Sequence, residues 1–204
     1  MKKYELTSET KVNNGVKLHR IKALDSFGNI KKEELGGWIE SKKNLSQEGN
    51  AWVYDNATVF ANATVSGNAT VGENARISGN AWVCDNATVG GNATVSENVK
   101  VHGNAWVYDN ATVGGNATVG GDATVGGDAK VRGKEDFIVF KNWWSSGRYF
   151  TWTRSNNKWS VGCFYGSGEE LIAKAYKYSE KSGREYERVV KYVESILKEE
   201  NNNK

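Results

Sequence analysis

From Gly49 to Arg132 the chain repeats a pattern of six in 14 unbroken units, with apolar side chains at places three and five. Place five is Val in every unit except one, where it is Ile77, and place three is Ala except at Val99. Side chains alternate sides along a strand. Places three and five therefore share one face, and place four, usually Thr, faces the other way. The pattern predicts an inward column of Val with Ala beside it, and an outward set of Thr, Trp, Lys and Arg. Place two is Asn twelve times, then Asp122 and Asp128. Asn tolerates the left-handed conformation that tight corners need, so place two is read as the corner. Each unit is one short strand plus one corner, and three units close a triangular coil. Fourteen units make about 4.7 coils, a prism roughly 22 Å tall at the spacing of paired strands.

Outside this array the period changes. Residues 3–8 and 16–24 read as a hairpin about Asn13-Asn14-Gly15, a strong turn signal. Leu35, Ile39 and Leu45 then lead into the first coil. The open end of a β-helix carries unpaired strands that invite aggregation and needs a cap. Residues 1–48 are accordingly predicted to be an N-terminal β-hairpin cap, and 49–133 the β-helix. Beyond it, DFIVF (136–140), RYFTWTR (148–154) and KWSVGCF (158–164) read as three strands, the last two joined at Ser155-Asn156-Asn157. Ser167 to Glu170 and Ser182 to Glu185 are capping boxes that predict two helices. Tyr186, Val189, Val190, Val193, Ile196 and Leu197 fall on one face of the second. Residues 134–204 are thus predicted to be a small C-terminal α+β module.

Charge divides the chain at the same places. Residues 1–48 carry 10 basic and 7 acidic side chains, 49–133 carry 4 and 7, and 134–204 carry 13 and 10. The total of +3 is too small to imply nucleic acid or an acidic membrane by itself. No apolar run is long enough for a membrane span, and MKKYELTSET has no apolar core of a secretory signal. Cys84 and Cys163 read as free thiols, so the expected location is a reducing cytoplasm. Seven Asn-Ala-Thr triplets match the glycosylation acceptor pattern, but they fall out of the repeat.

An aliphatic residue followed four places on by a small one, as in Val53 to Ala57, Val59 to Ala63 and Val65 to Ala69, is the hexapeptide-repeat pattern. The chain resembles left-handed parallel β-helix proteins, and the handedness is implied by that resemblance alone. The form GNAWVYDNATV, preceded by LGGWIES and NLSQEGNAWV, is similar to hexapeptide-repeat proteins of bacteriophages and prophages. The resemblance extends into both flanks. It implies a fold and an origin, and a trimer as the favoured homo-oligomer.

Candidate chemistry is sparse. Several hexapeptide-repeat families are acyltransferases that use a His base, often with a loop projecting from the coils. Here the array is unbroken and its one His is His102, at an outward place six. His19 is read as a surface or half-buried side chain. Two His cannot supply the three ligands of the zinc carbonic anhydrase built on this fold. No catalytic residue, metal site or cofactor is expected. Thr columns also resemble those of ice-binding proteins, yet grouping the units in threes gives no face with an unbroken Thr grid.

Outward aromatics carry more. Trp52, Tyr54, Trp106 and Tyr108 are assigned to one face, Trp82 to another and Phe60 to the third. Large apolar groups facing out mark interfaces, with a partner or with the chain's own flanks. In the C-terminal module Trp143, Trp144, Tyr149, Trp152 and Trp159 cluster with Arg148, Arg154 and Lys158, types that anchor protein partners or stack bases. The sequence is therefore read as a non-enzymatic binding protein. Its expected binding residues are Trp143, Trp144, Arg148, Tyr149, Arg154 and Trp159, with Trp52, Tyr54, Trp106 and Tyr108 on the prism. The likeness to phage proteins implies an anti-defence role, exerted on a host protein such as a defence-system component, or on a signal nucleotide or nucleic acid. The alternatives are an acyltransferase-like enzyme and a structural or virion component.

Overall fold

The computed structural model describes residues 2–202. Two antiparallel strands, β1 (Tyr4–Asn13) and β2 (Val16–Ala23), form the N-terminal hairpin, and β3 (Leu35–Ile39) follows. Asn14 and Gly15 at its tip have φ of 51° and 78°, the two left-handed residues that a tight two-residue hairpin turn requires. Fourteen two-residue strands then run from β4 (Trp52–Val53) to β17 (Lys130–Val131). They stack in three parallel sheets, and each strand pairs with the one three units on. The first face reads β3-β5-β8-β11-β14-β17, the second β4-β7-β10-β13-β16 and the third β6-β9-β12-β15. The register is direct, as in Thr70 beside Thr88 and Val71 beside Val89. The inward column is closed to solvent, with every Val and Ile of place five fully buried.

Corners are built differently from expectation. The left-handed residue is place one, not the Asn of place two. All fourteen place-one residues have positive φ, from Gly49 at 70° to Gly127 at 63°, and they include Asp55, Ala61, Glu73, Asp85, Glu97 and Asp109. The Asn side chains instead bond to one another along the prism. One ladder runs Asn50, Asn68, Asn86, Asn104 and Asp122, with N···O distances of 3.0–3.2 Å. A second runs Asn62, Asn80, Asn98 and Asn116, and a third Asn74, Asn92 and Asn110. An amide both donates and accepts, so one residue type can continue such a ladder without limit. Place-one carboxylates do a related task. Asp85, Glu97 and Asp109 accept the backbone N–H of Gly103, Gly115 and Gly127, one coil on.

The bonds made by the N–H groups of places four and six run from each coil to the next. The N–H of place four donates to the place-three carbonyl of the next coil, as from Thr70 to Ala87 at 2.9 Å. The first coil therefore has spare carbonyls and the last has spare N–H groups. Three different donors cover the place-three carbonyls of the first three units. Lys3 Nζ reaches Ala51 O at 2.9 Å, the Trp38 N–H reaches Ala57 O at 3.0 Å, and Asn44 Nδ2 reaches Ala63 O at 2.9 Å. At the far end, Thr151 Oγ1 accepts the N–H of Thr124 at 2.9 Å and Ser155 Oγ accepts that of Lys130 at 2.7 Å.

The C-terminal part is a four-stranded antiparallel sheet and two helices. Its strands are β18 (Phe137–Lys141), β19 (Tyr149–Thr153), β20 (Lys158–Val161) and β21 (Phe164–Gly166), in that order across the sheet. The sequence reading had three strands, with the last ending at Phe164. A turn after Val161, where Gly162 has φ of 57°, splits that segment and turns its end back as β21. Helix α1 (Gly168–Tyr178) begins at the expected box, with Ser167 Oγ accepting the Glu170 N–H. Helix α2 (Glu180–Asn202) begins before the box read at Ser182. Ser179 Oγ accepts the Ser182 N–H at 3.1 Å, so Ser179 caps it and Ser182 is buried inside the helix. The helices and sheet enclose a second core of Trp144, Phe150, Trp152, Trp159, Leu171, Tyr186, Val190 and Val193.

Two outcomes are expected. Val89→Asp places a carboxylate in the buried apolar column at a cost of several kcal/mol, so thermal denaturation should show a large fall in Tm. Lys3→Met leaves the Ala51 carbonyl without its donor, which should cost about 1–3 kcal/mol in chemical denaturation. Burial lowers the Lys3 pKa from 10.5 to about 8. Between those values the unfolded chain binds the extra proton, so this group's contribution to stability rises with pH. The gap between wild type and Lys3→Met should therefore widen from pH 8 to pH 10.

Candidate functional site: a groove between the prism and the C-terminal sheet

The C-terminal sheet is fixed against the second prism face by the bonds that close the last coil. Thr151 on β19 accepts from Thr124 on β16, and Asn156 Nδ2 donates to Asp128 Oδ1 at 3.0 Å and to Tyr165 Oη at 2.9 Å. The Asn156 bond holds the Asp128 carboxyl below its usual pKa. Between face and sheet opens a groove of about 860 Å³. Trp106, 54% exposed, lies on the prism wall, and Tyr149 and Tyr165 are exposed on the wall made by the sheet. Tyr108 is half-buried at the junction, and burial pushes its phenol pKa up while a bond to Ser160 opposes the shift. Arg148 stands at the sheet side. Glu73, Asp109 and Asp122 line the prism side. Asp109 and Asp122 each give one oxygen to the Gly127 N–H and to Asn104, and so serve the scaffold as well as the groove.

Glycine makes this close approach possible. A Cβ on Gly126 would overlap the Tyr108 ring, and one on Gly127 would overlap the Tyr165 hydroxyl. The run of Gly in the last coils, which from the repeat alone looks like loss of pattern, makes room for the aromatics of the groove.

Of the expected binding residues, Trp106, Tyr108, Arg148 and Tyr149 come together here. Others do not. Trp52 is 1% exposed, packed edge-on against Tyr4 and Phe27 of the N-terminal segment, and is core. Tyr54 is half-buried and packs against the same core, and burial raises its pKa. Phe60, on the first face, is covered with Leu18 and Trp38. Trp144 and Trp159 belong to the C-terminal core. Arg154 is tied to Glu200 and to the Glu135 carbonyl. Trp143 is 71% exposed, sits edge-on to Trp144 and does not line the groove. Phe164, Tyr165 and Cys163 were missed. The signal for them was the Gly162 and Gly166 flanking CFY, a turn and a strand end inside an apolar run.

The remaining candidates stand apart. His102 Nδ1 is 3.8 Å from Asp85 Oδ2, and its ring covers Gly120. His19 Nδ1 is 3.4 Å from the Thr7 carbonyl. Cys84 is buried and Cys163 exposed, both free. Among the described residues, no group of three His, Cys, Asp or Glu is placed to hold a metal, and no helix is long and apolar enough to cross a membrane.

The YdcK beta solenoid repeat family matches residues 51–67 and 105–121, stretches that lie wholly within the repeat array. An uncharacterized acetyltransferase, YdcK of Escherichia coli strain K12, is 35% identical over 63 residues. That match spans 27% of this chain and 19% of the relative's length. The likeness is to the β-solenoid repeat, and the chain carries that fold over about five coils.

Gly127→Ala and Gly121→Ala separate backbone strain from the groove contact. Both positions have φ near 64°, but an added Cβ meets the Tyr165 hydroxyl only at 127 and open space at 121. Each substitution should cost about 1 kcal/mol for the left-handed backbone. Gly127→Ala should cost measurably more in denaturant titration, and a nitrated or fluorinated Tyr165 should report its displacement.

Proposed function

We propose that this chain is a non-enzymatic binding protein that takes a protein partner in the groove. The observation carrying this reading is that Trp106 and Tyr108 from the prism meet Arg148, Tyr149 and Tyr165 from the C-terminal sheet in one open cleft. Trp, Tyr and Arg dominate binding hot spots, and these five come from segments far apart in sequence. The three carboxylates on the prism side set the complementary charge. A basic segment carrying apolar side chains fits such a cleft better than a nucleic acid, whose phosphates would face those carboxylates. The finer reading follows from the likeness of GNAWVYDNATV and its flanks to phage proteins. On that reading the partner is a host protein of the bacterial cytoplasm, a defence-system component in its most concrete form, and the protein is an inhibitor.

A second reading is an acyltransferase-like enzyme. The 35% identity to a protein named as an acetyltransferase favours it. His102 beside Asp85 is the base it would use. Acetyl transfer from acetyl-CoA that disappears in a folded His102→Ala variant would establish it. Trimeric assembly is a separate proposal. With Trp52 and Phe60 covered by the chain's own N-terminal segment, Trp82 and Trp106 remain as exposed face aromatics. Light scattering that gives a monomer at micromolar concentration would remove it.

The groove is tested with a double change, Trp106→Ala with Arg148→Ala. Both side chains are exposed, so the circular dichroism and Tm should stay near wild type. Affinity for the captured host partner should fall by at least about 2 kcal/mol. A folded double variant that keeps full affinity would move the site elsewhere.

A further inference from the structure

The third prism face holds a different kind of site. Trp82 stands there 45% exposed. Its Nε1 donates to Ser66 Oγ at 2.9 Å, and Lys100 Nζ lies 4.5 Å from its ring centre. The indole is thus held in place while much of it stays open to solvent. Between Trp82 and the short turn Lys42–Asn44 lies a pocket of about 450 Å³, within the size range of small-ligand sites. Lys42 and Lys43 rim it, and no carboxylate lines it. Among the described residues neither lysine is in an ion pair. Lys43 reaches only the Asn62 amide oxygen, at 3.3 Å. The rest of the wall is hydroxyl and amide, including Thr64, Gln47 and Asn80.

The lysines do not stand on a loose loop. The Lys42 carbonyl accepts from Tyr4 Oη at 3.1 Å, and Asn44, fully buried, donates to the Ala61 and Ala63 carbonyls. The same turn that closes the first coil therefore presents two uncompensated ammonium groups beside a fixed aromatic plate. A planar, anionic ligand answers both features. Ammonium groups attract phosphate as point charges, and any nucleobase has a π-face that stacks on an aromatic side chain. A neutral sugar or an apolar peptide would leave the lysines unanswered, and a basic peptide would be repelled. We propose that this pocket binds a nucleoside phosphate, with the base against Trp82 and the phosphates at Lys42 and Lys43. The site is independent of the groove, which lies on another face and has the opposite charge.

ATP is the probe, titrated calorimetrically into the full chain, with adenosine, pyrophosphate and a single-stranded DNA 12-mer as separate arms. Wild type should bind ATP saturably below about 1 mM, and adenosine and pyrophosphate should each bind more weakly. Trp82→Ala should lower ATP affinity about tenfold or more through lost stacking, and Trp82→Phe should restore part of it. Lys42→Ala with Lys43→Ala should lower affinity similarly and flatten its salt dependence. Trp106→Ala should leave it unchanged. No saturable ATP binding by wild type overturns the proposal, as does full ATP affinity in a folded Trp82→Ala variant. Tight binding of the 12-mer without ATP binding also overturns it and assigns the pocket to nucleic acid. If Trp82→Ala fails to fold, the two exposed lysines still decide, since unchanged affinity in their double variant overturns the proposal.

Discussion

The hydrogen bond that joins one coil to the next has a direction, and much of the molecule follows from it. The N–H groups of places four and six in each coil donate toward the C-terminal end, to carbonyls of the next coil. Units built on one pattern can stack this way indefinitely, so the repeat supplies no stopping rule. Buried carbonyls or amides left without partners cost about as much as a lost hydrogen bond each. At these groups the two ends therefore need opposite chemistry. The N-terminal segment brings donors, the ammonium of Lys3, the amide of Asn44 and the backbone of β3. The C-terminal segment brings hydroxyl acceptors, Thr151 and Ser155.

Those closures also place the candidate sites. Thr151 lies on β19, so capping the last coil brings the C-terminal sheet beside the second prism face and creates the groove. Asn44 belongs to the turn that carries Lys42 and Lys43, so capping the first coil sets the lysines beside Trp82. Both proposed sites are thus next to a solution of the end problem. The middle of the prism, where Thr and small residues face out, is scaffold.

The place-one and place-two residues show how a strict repeat handles its polar groups. The Asn ladders bond the corners along the whole prism, which gives a reason for Asn beyond its turn propensity. Acidic residues at place one accept the N–H of the residue one coil on, in the left-handed corner itself. Their carboxylates look like candidate chemistry in the bare sequence. In the fold most of that capacity is used locally, and only those on the groove side also face a cleft.

The period of six determined the array by itself, including the inward Val column and the assignment of strands to three faces. It could do so because alternation along a strand and threefold closure are local rules, repeated without interruption from residue 49 to 132. The Asn14-Gly15 turn and the box at Ser167 were legible for the same reason, each being a short-range backbone requirement. What periodicity cannot say is which outward side chain is covered by another part of the chain. Trp52 and Trp106 occupy the same place in their units, yet one is core under Tyr4 and Phe27 and the other lines an open groove. The corner was misassigned because Asn and the residue before it are both compatible with a turn, and only the backbone angles distinguish them. The cap of α2 was missed because Ser179 and Ser182 both precede a helical pattern, and only the bond from the Ser182 N–H to Ser179 Oγ distinguishes them. The groove itself joins residues 106–109 to residues 148–165. That juxtaposition arises from long-range capping bonds, which leave no period in the sequence, so only the tertiary structure could decide it.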